Sequence, residues 1–244
     1  MAKRQEYDFE TVEYHPSSDQ VKKLVFTFHG YGRNAWFMDK VAKDIKEKYP
    51  DTKVISLHAP EKLDLPESLN VAQMNMPEEL MQDDGSLSPD MQRQWVSMSG
   101  GRLRIWWRIV SLTPKINAYI DKRRDEYGLE DKDLIYIGFS QGGAVALSSA
   151  FRRARAIGAL IGHSTIYWGV LPIKSRPPIY YIYGEDDPSI SSELYDKSQR
   201  RLGKLTSHFN VTKIPGQGHY ISSTSRKAMI EYLSDYLPAP TNHR

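Results

Sequence analysis

The segment Gly138-Phe139-Ser140-Gln141-Gly142-Gly143 places a serine in the pattern G-x-S-x-G. Ahead of it, Asp133-Leu134-Ile135-Tyr136-Ile137 is an apolar run that predicts a strand. Behind it, Ala144 to Ala150 predicts a helix. A chain that turns this sharply from strand to helix lifts the serine hydroxyl clear of the sheet and aims backbone N–H groups into the same space. Glycines are required because a Cβ at those positions would obstruct the turn. The plainer reading is a glycine-lined turn whose serine caps the helix. It explains the pattern but not the partner residues found elsewhere in the chain.

Strand and helix patterns alternate along the sequence. Strands are expected at Val21 to Phe28, Lys53 to Leu57, Ala156 to Ile161, Pro178 to Tyr183 and His208 to Ile214, besides the strand before Ser140. Helices are expected at Trp36 to Tyr49, Arg104 to Tyr127 with an interruption near Pro114, Ser191 to Gly203 and Ser222 to Tyr236. Such alternation implies a mostly parallel central sheet with helices on both faces, an α/β fold. Phe9 to Tyr14 reads as an added edge strand. At 244 residues the chain is expected to form a single α/β domain spanning 1–244.

One stretch, Glu61 to Arg102, breaks the alternation and reads as a long insertion or lid-like loop. It holds Met74, Met76, Met81, Met91 and Met98 and is rich in acidic residues. Methionine is flexible and polarizable, which suits a surface that moulds around apolar ligands and equally suits gap-filling in an ordinary insertion.

Charge and composition exclude other classes. A net charge of +3 is too small for a nucleic-acid-binding face. Lys122-Arg123-Arg124 and Arg152-Arg153-Ala154-Arg155 fall at expected helix ends, where solvated cations favour the negative end of the dipole. With no cysteine, disulfides, thiolate metal sites and a cysteine nucleophile are excluded. No apolar run approaches membrane-spanning length and the first residues do not form a secretory signal, so a cytoplasmic protein without stable membrane insertion is expected. No G-x-G-x-x-G, Walker lysine or paired-histidine motif calls for a metal or organic cofactor.

A serine hydroxyl needs a histidine to take its proton and an acid to orient that histidine. His219 lies in the glycine-flanked loop Pro215-Gly216-Gln217-Gly218-His219 after the last expected strand. Gly184-Glu185-Asp186-Asp187-Pro188 follows the strand before it and offers three carboxylates, among which spacing cannot choose. Carboxyl ends of parallel strands are where catalytic groups are expected in such sheets. Negative charge on a substrate oxygen requires preset N–H donors. Gln141, directly after the serine, and Tyr31, in the turn His29-Gly30-Tyr31-Gly32, supply the candidates.

These motifs together resemble the acyl-protein thioesterase and carboxylesterase group of α/β-hydrolases, the phospholipase/carboxylesterase family. The resemblance rests on His29-Gly30-Tyr31-Gly32, Gly138-Phe139-Ser140-Gln141-Gly142-Gly143, Gly184-Glu185-Asp186-Asp187-Pro188, Gly218-His219 and Arg93-Gln94-Trp95, and spans about residues 21 to 236. It implies an α/β-hydrolase fold and a serine hydrolase cleaving carboxylic esters or thioesters of acyl chains through an acyl-enzyme. The family pattern places the triad acid before proline, which selects Asp187 over Asp186. Substrate-contact candidates are His29, Trp95, His163, Met74 and Met76. An acyl ester or thioester is the expected partner of a monomer or homodimer. The alternatives are an esterase for small polar esters and a non-catalytic acyl- or protein-binding relative.

Overall fold

The computed structural model describes residues 8–18, 20–63, 92–169 and 172–237. Its strands are β1 (Thr11–Tyr14), β2 (Lys23–Phe28), β3 (Thr52–Leu57), β4 (Glu61–Lys62), β5 (Arg93–Gln94), β6 (Leu134–Phe139), β7 (Ala159–His163), β8 (Ile179–Gly184) and β9 (Phe209–Ile214). Its helices are α1 (Asp39–Lys48), α2 (Arg102–Glu126), α3 (Gln141–Arg152), α4 (Ser192–Leu202) and α5 (Ser223–Leu233). Seven strands form one sheet in the order β1-β3-β2-β6-β7-β8-β9. All neighbours are parallel except β1, which pairs antiparallel with β3 at the edge. The expected mostly parallel sheet with helices is present, a fold of the α/β-hydrolase type.

Alternation of side chains along the strands builds a core on each face. Leu24, Phe26, Phe28 and Tyr136 point into one layer with Ile109, Ile116, Val145 and Leu202 from α2, α3 and α4. Val25, Ile135, Ile137 and Ile182 point into the other, against Val41 and Ile45 of α1 and Met229 and Leu233 of α5. Because both faces are covered, the central strands read as continuous apolar runs rather than alternating ones.

Three elements differ from the sequence expectation. The first helix begins as a 3-10 turn over Ala35–Met38, because Asn34 Oδ1 accepts the N–H of Trp36 at 3.0 Å before the α-helical register starts. The helix over Arg102–Glu126 continues through Pro114 without a break. Pro114 faces solvent while Leu112, Thr113 and Ile116 are buried, so the packed face carries the helix through it. The strand expected at Ala156 to Ile161 begins at Ala159 and runs to His163, in register with β6 through Phe139↔His163.

Within the stretch 61–102, residues 61–63 pair with 92–94. Glu61 pairs with Gln94 and Lys62 with Arg93, and Leu63 N–H donates to Gln92 O at 3.0 Å. Met74, Met76, Met81 and Met91 lie outside the described residues, and Met98 is exposed. Among the described residues, no helix is long and apolar enough to cross a membrane.

The expectation of solvated helix ends fails at Arg153, which is 4% exposed. Its guanidinium donates to Asp131 at 2.7 Å, to Asp121 at 2.6 Å and to Tyr136 Oη at 3.3 Å. Arg124 also donates to Asp131. Burial pushes the Asp131 carboxyl up, but hydrogen bonds and charge from Arg153 and Arg124 outweigh it and hold the pKa below the ordinary value. A depressed carboxyl stabilises the fold above its unfolded pKa, and the contribution fades as pH falls through the folded value. Asp131→Asn is therefore expected to cost about 3 kcal/mol at pH 7. In urea unfolding the gap to wild type should narrow below about pH 4. A gap that stays constant with pH would contradict this electrostatic account.

Candidate active site

Three loops at the carboxyl edge of the sheet bring the site together. Ser140 follows β6 directly and adopts φ 52° and ψ −120°, a conformation unfavourable for a residue with a side chain. The surroundings enforce it. Ser140 N–H donates to His163 O at 2.9 Å, and Ser140 O accepts from Thr165 Oγ1 at 2.7 Å and Gly143 N–H at 3.0 Å. The first turn of α3 also lies against β2 so closely that a Cβ on Gly142 would sit 2.3 Å from both Phe28 O and His29 O. A Cβ on Gly138 would sit 2.5 Å from Gly143 Cα. The glycines of the motif are thus fixed by backbone contact.

The second loop, after β8, carries Asp187, and the third, after β9, carries His219. They are joined through Glu185 N–H to Ile214 O at 2.9 Å and Asp186 N–H to Gln217 O at 3.0 Å. His219 Nε2 lies 3.0 Å from Ser140 Oγ, and Nδ1 lies 2.6 Å from Asp187 Oδ2. Asp187 Oδ1 accepts the N–H groups of Ser189 at 2.8 Å and Ile190 at 3.0 Å, and Tyr195 Oη donates to Oδ2 at 2.5 Å. Burial raises the Asp187 pKa, but the hydrogen bonds from His219 and Tyr195 more than offset it and leave the pKa below the usual carboxylate value. A carboxylate facing an Nδ1–H frees Nε2 to accept a proton from the serine.

Gln141 opens α3 and Tyr31 lies in the turn after β2. Among the described residues, neither backbone N–H meets an acceptor. The Gln141 side chain has a separate task. Its Oε1 accepts Trp95 N–H and its Nε2 donates to Val96 O, both at 2.7 Å.

Of the expected substrate-contact residues, His29, Trp95 and His163 are all 0% exposed. Trp95 Nε1 donates to His29 O at 2.8 Å, and the two rings pack 5.4 Å apart. His29 Nε2 accepts Ala59 N–H at 2.9 Å, which leaves the proton on Nδ1 to meet Gly30 O at 2.7 Å. His163 packs against Phe139 behind the serine. Burial pushes both imidazoles down to about 3, with the neighbouring His219 adding to the effect at His163. The three side chains are packed away from solvent. Met74 and Met76 lie outside the described residues.

Sequence reasoning missed Tyr195 and the side-chain clamp of Gln141. It also missed exposed Tyr220, next to His219. Nothing local in the sequence marks them.

A family model described as phospholipase/carboxylesterase matches residues 10–237. The chain belongs to this family. It is accordingly a carboxylesterase-like hydrolase. Among solved structures, esterase PE8 is similar with a TM-score of 0.76 at 20% identity, covering 95% of this chain and 100% of that one. The Bacillus cereus carboxylesterase has a TM-score of 0.65 at 17% identity, covering 94% and 95%. Arabidopsis thaliana SOBER1 has a TM-score of 0.66 at 16% identity, covering 88% and 98%. At these identities the likeness concerns the fold.

The packing of the elbow is testable without substrate. Gly142→Ala forces a methyl against two carbonyls and should lower stability by roughly 1–3 kcal/mol, seen as a reduced Tm. An unchanged Tm would mean that α3 and β2 are not held this closely.

Proposed function

We propose that this protein hydrolyses carboxylic esters and thioesters of acyl chains through a Ser140–His219–Asp187 triad. The observation that carries this reading is the hydrogen-bonded line from Ser140 Oγ through His219 to Asp187, at 3.0 and 2.6 Å. Ser140 attacks the acyl carbonyl while His219 Nε2 takes its proton. The N–H groups of Tyr31 and Gln141 stabilise the oxyanion, helped by the positive end of α3. His219 then protonates the departing alcohol or thiol, leaving an acyl-Ser140 ester. In the second half, His219 activates water for deacylation, and Asp187 holds the imidazole throughout. Assignment of Asp187 rather than Asp186 is supported by its four hydrogen-bond donors, including His219.

Two observations bear on substrate size. Exposed Tyr31 and Tyr220 beside the catalytic positions favour an apolar acyl group. The burial of Trp95 removes one expected wall of an acyl pocket and favours smaller esters. Each methylene taken from water contributes about 0.8 kcal/mol, roughly fourfold in rate or affinity. On esters and thioesters of two to twelve carbons, kcat/KM should rise with length and then level off. A maximum at acetyl would reject the acyl-chain reading in favour of small polar esters.

The triad itself predicts that Ser140→Ala loses about 10⁴ to 10⁶ in kcat. A fluorophosphonate probe should label wild type at Ser140 and leave the alanine variant untouched. Asp187→Asn should lose orders of magnitude while Asp186→Asn remains mild, and the reverse result would move the acid by one residue.

A further inference from the structure

Asp187 receives more hydrogen bonds than the orientation of His219 requires. The N–H groups of Ser189 and Ile190, at 2.8 and 3.0 Å, already anchor Oδ1 from its own loop. Oδ2 then accepts two donors at once, His219 Nδ1–H at 2.6 Å and Tyr195 Oη–H at 2.5 Å. Tyr195 comes from a different element, α4, and its residue is 1% exposed. Its ring stacks on Tyr183 at 4.1 Å and 18°, and Tyr183 Oη in turn accepts from Gln199 Nε2 at 2.8 Å. The phenol is thereby held in place by packing between β8 and α4.

We propose that Tyr195 is a positioning residue that sets the basicity of His219 through Asp187, by sharing the negative charge of Oδ2 with the imidazole. The inference rests on the triad reading given above. Two donors on one carboxylate oxygen draw on the same electron density, so each weakens the other's bond. With the phenol in place, less charge remains to stabilise the imidazolium, and His219 is a weaker base than the same histidine facing an unshared carboxylate. Burial and the Asp187 carboxylate both keep Tyr195 protonated, so it stays a donor wherever the enzyme is assayed.

The other ionisable groups around the pair do not reproduce this effect. His163 on β7 is buried and stays neutral, its pKa pushed down to about 3 by burial and by His219. Tyr181 and Tyr183 approach from β8, and burial pushes the Tyr181 phenol up. Glu185 and Asp186 lie on the exposed side of the acid loop, with Glu185 paired to Lys213 of β9 at 2.6 Å.

The test is the acid limb of the pH profile of kcat/KM, measured on a short ester with wild type and Tyr195→Phe. The substitution keeps the ring stack and removes only the O–H. The limb should move to higher pH by roughly half a unit to one unit. The His219 Nδ1–H proton should also move downfield in the NMR spectrum as its bond to Asp187 strengthens. An unmoved limb, with hydrolysis still dependent on Ser140, would reduce the phenol to packing and overturn the proposal. A limb displaced to lower pH would overturn it too, because it means Asp187 has lost its aim. Should the phenylalanine variant not fold, 3-fluorotyrosine at position 195 decides. Its stronger O–H donor should move the limb downward, and an unmoved limb counts against the proposal. Wild-type hydrolysis that survives Ser140→Ala would instead remove the triad reading on which the inference stands.

Discussion

The close approach between the first turn of α3 and the end of β2 is the contact from which the rest of the site is built. Carbonyls of Phe28 and His29 occupy the space a Cβ on Gly142 would need. That approach leaves Ser140 no ordinary backbone conformation, and the positive φ is held by hydrogen bonds to His163 and Thr165. Strain of this kind costs on the order of 1–3 kcal/mol and persists only where neighbours over-determine it. Its effect is to project Oγ toward His219 while placing the start of a helix dipole beside it.

A second layer ties Trp95 and Val96 to the same turn. Trp95 and Val96 hydrogen-bond to the Gln141 side chain, Trp95 reaches His29 O, and His29 is anchored to Ala59. Gly32 N–H donates to Arg93 O at 2.9 Å, which fastens the turn containing Tyr31. His29, Trp95 and Gln141 are buried in this chain of contacts, so losing one partner would leave another unsatisfied at a cost of about 1–3 kcal/mol. The turn after β2 and the first turn of α3 are therefore rigidly related. Such preorganisation is what electrostatic stabilisation of a developing oxyanion requires.

Much of the architecture was legible in the sequence because strand and helix periods are local properties. The apolar runs of β2, β3, β6 and β8 stand out since both faces of the sheet are covered. The serine turn was equally visible, because its glycines answer to steric demands within a few residues. The carboxylate was different. Glu185, Asp186 and Asp187 are chemically equivalent in spacing, and the choice came from family resemblance. What the sequence concealed was the use made of polar side chains by distant segments. Arg153 looks like a solvated helix end until Asp121 and Asp131 are brought to it. His29 and Trp95 look like ligand contacts, yet their ring nitrogens are taken by backbone groups from other loops. Tyr195 carries no motif, and its meaning depends on α4 folding back over the acid loop.

In the proposed mechanism Ser140 carries the acyl group between the two halves of the reaction. Rapid acid quench of the enzyme during turnover of an activated ester, followed by intact-mass and peptide mass spectrometry, reads this directly. The account predicts a mass increase equal to the acyl group, located on the peptide that contains Ser140 and removed by hydroxylamine. Turnover with no acylated enzyme under conditions where deacylation is slowed, or an acyl group on another residue, would contradict it.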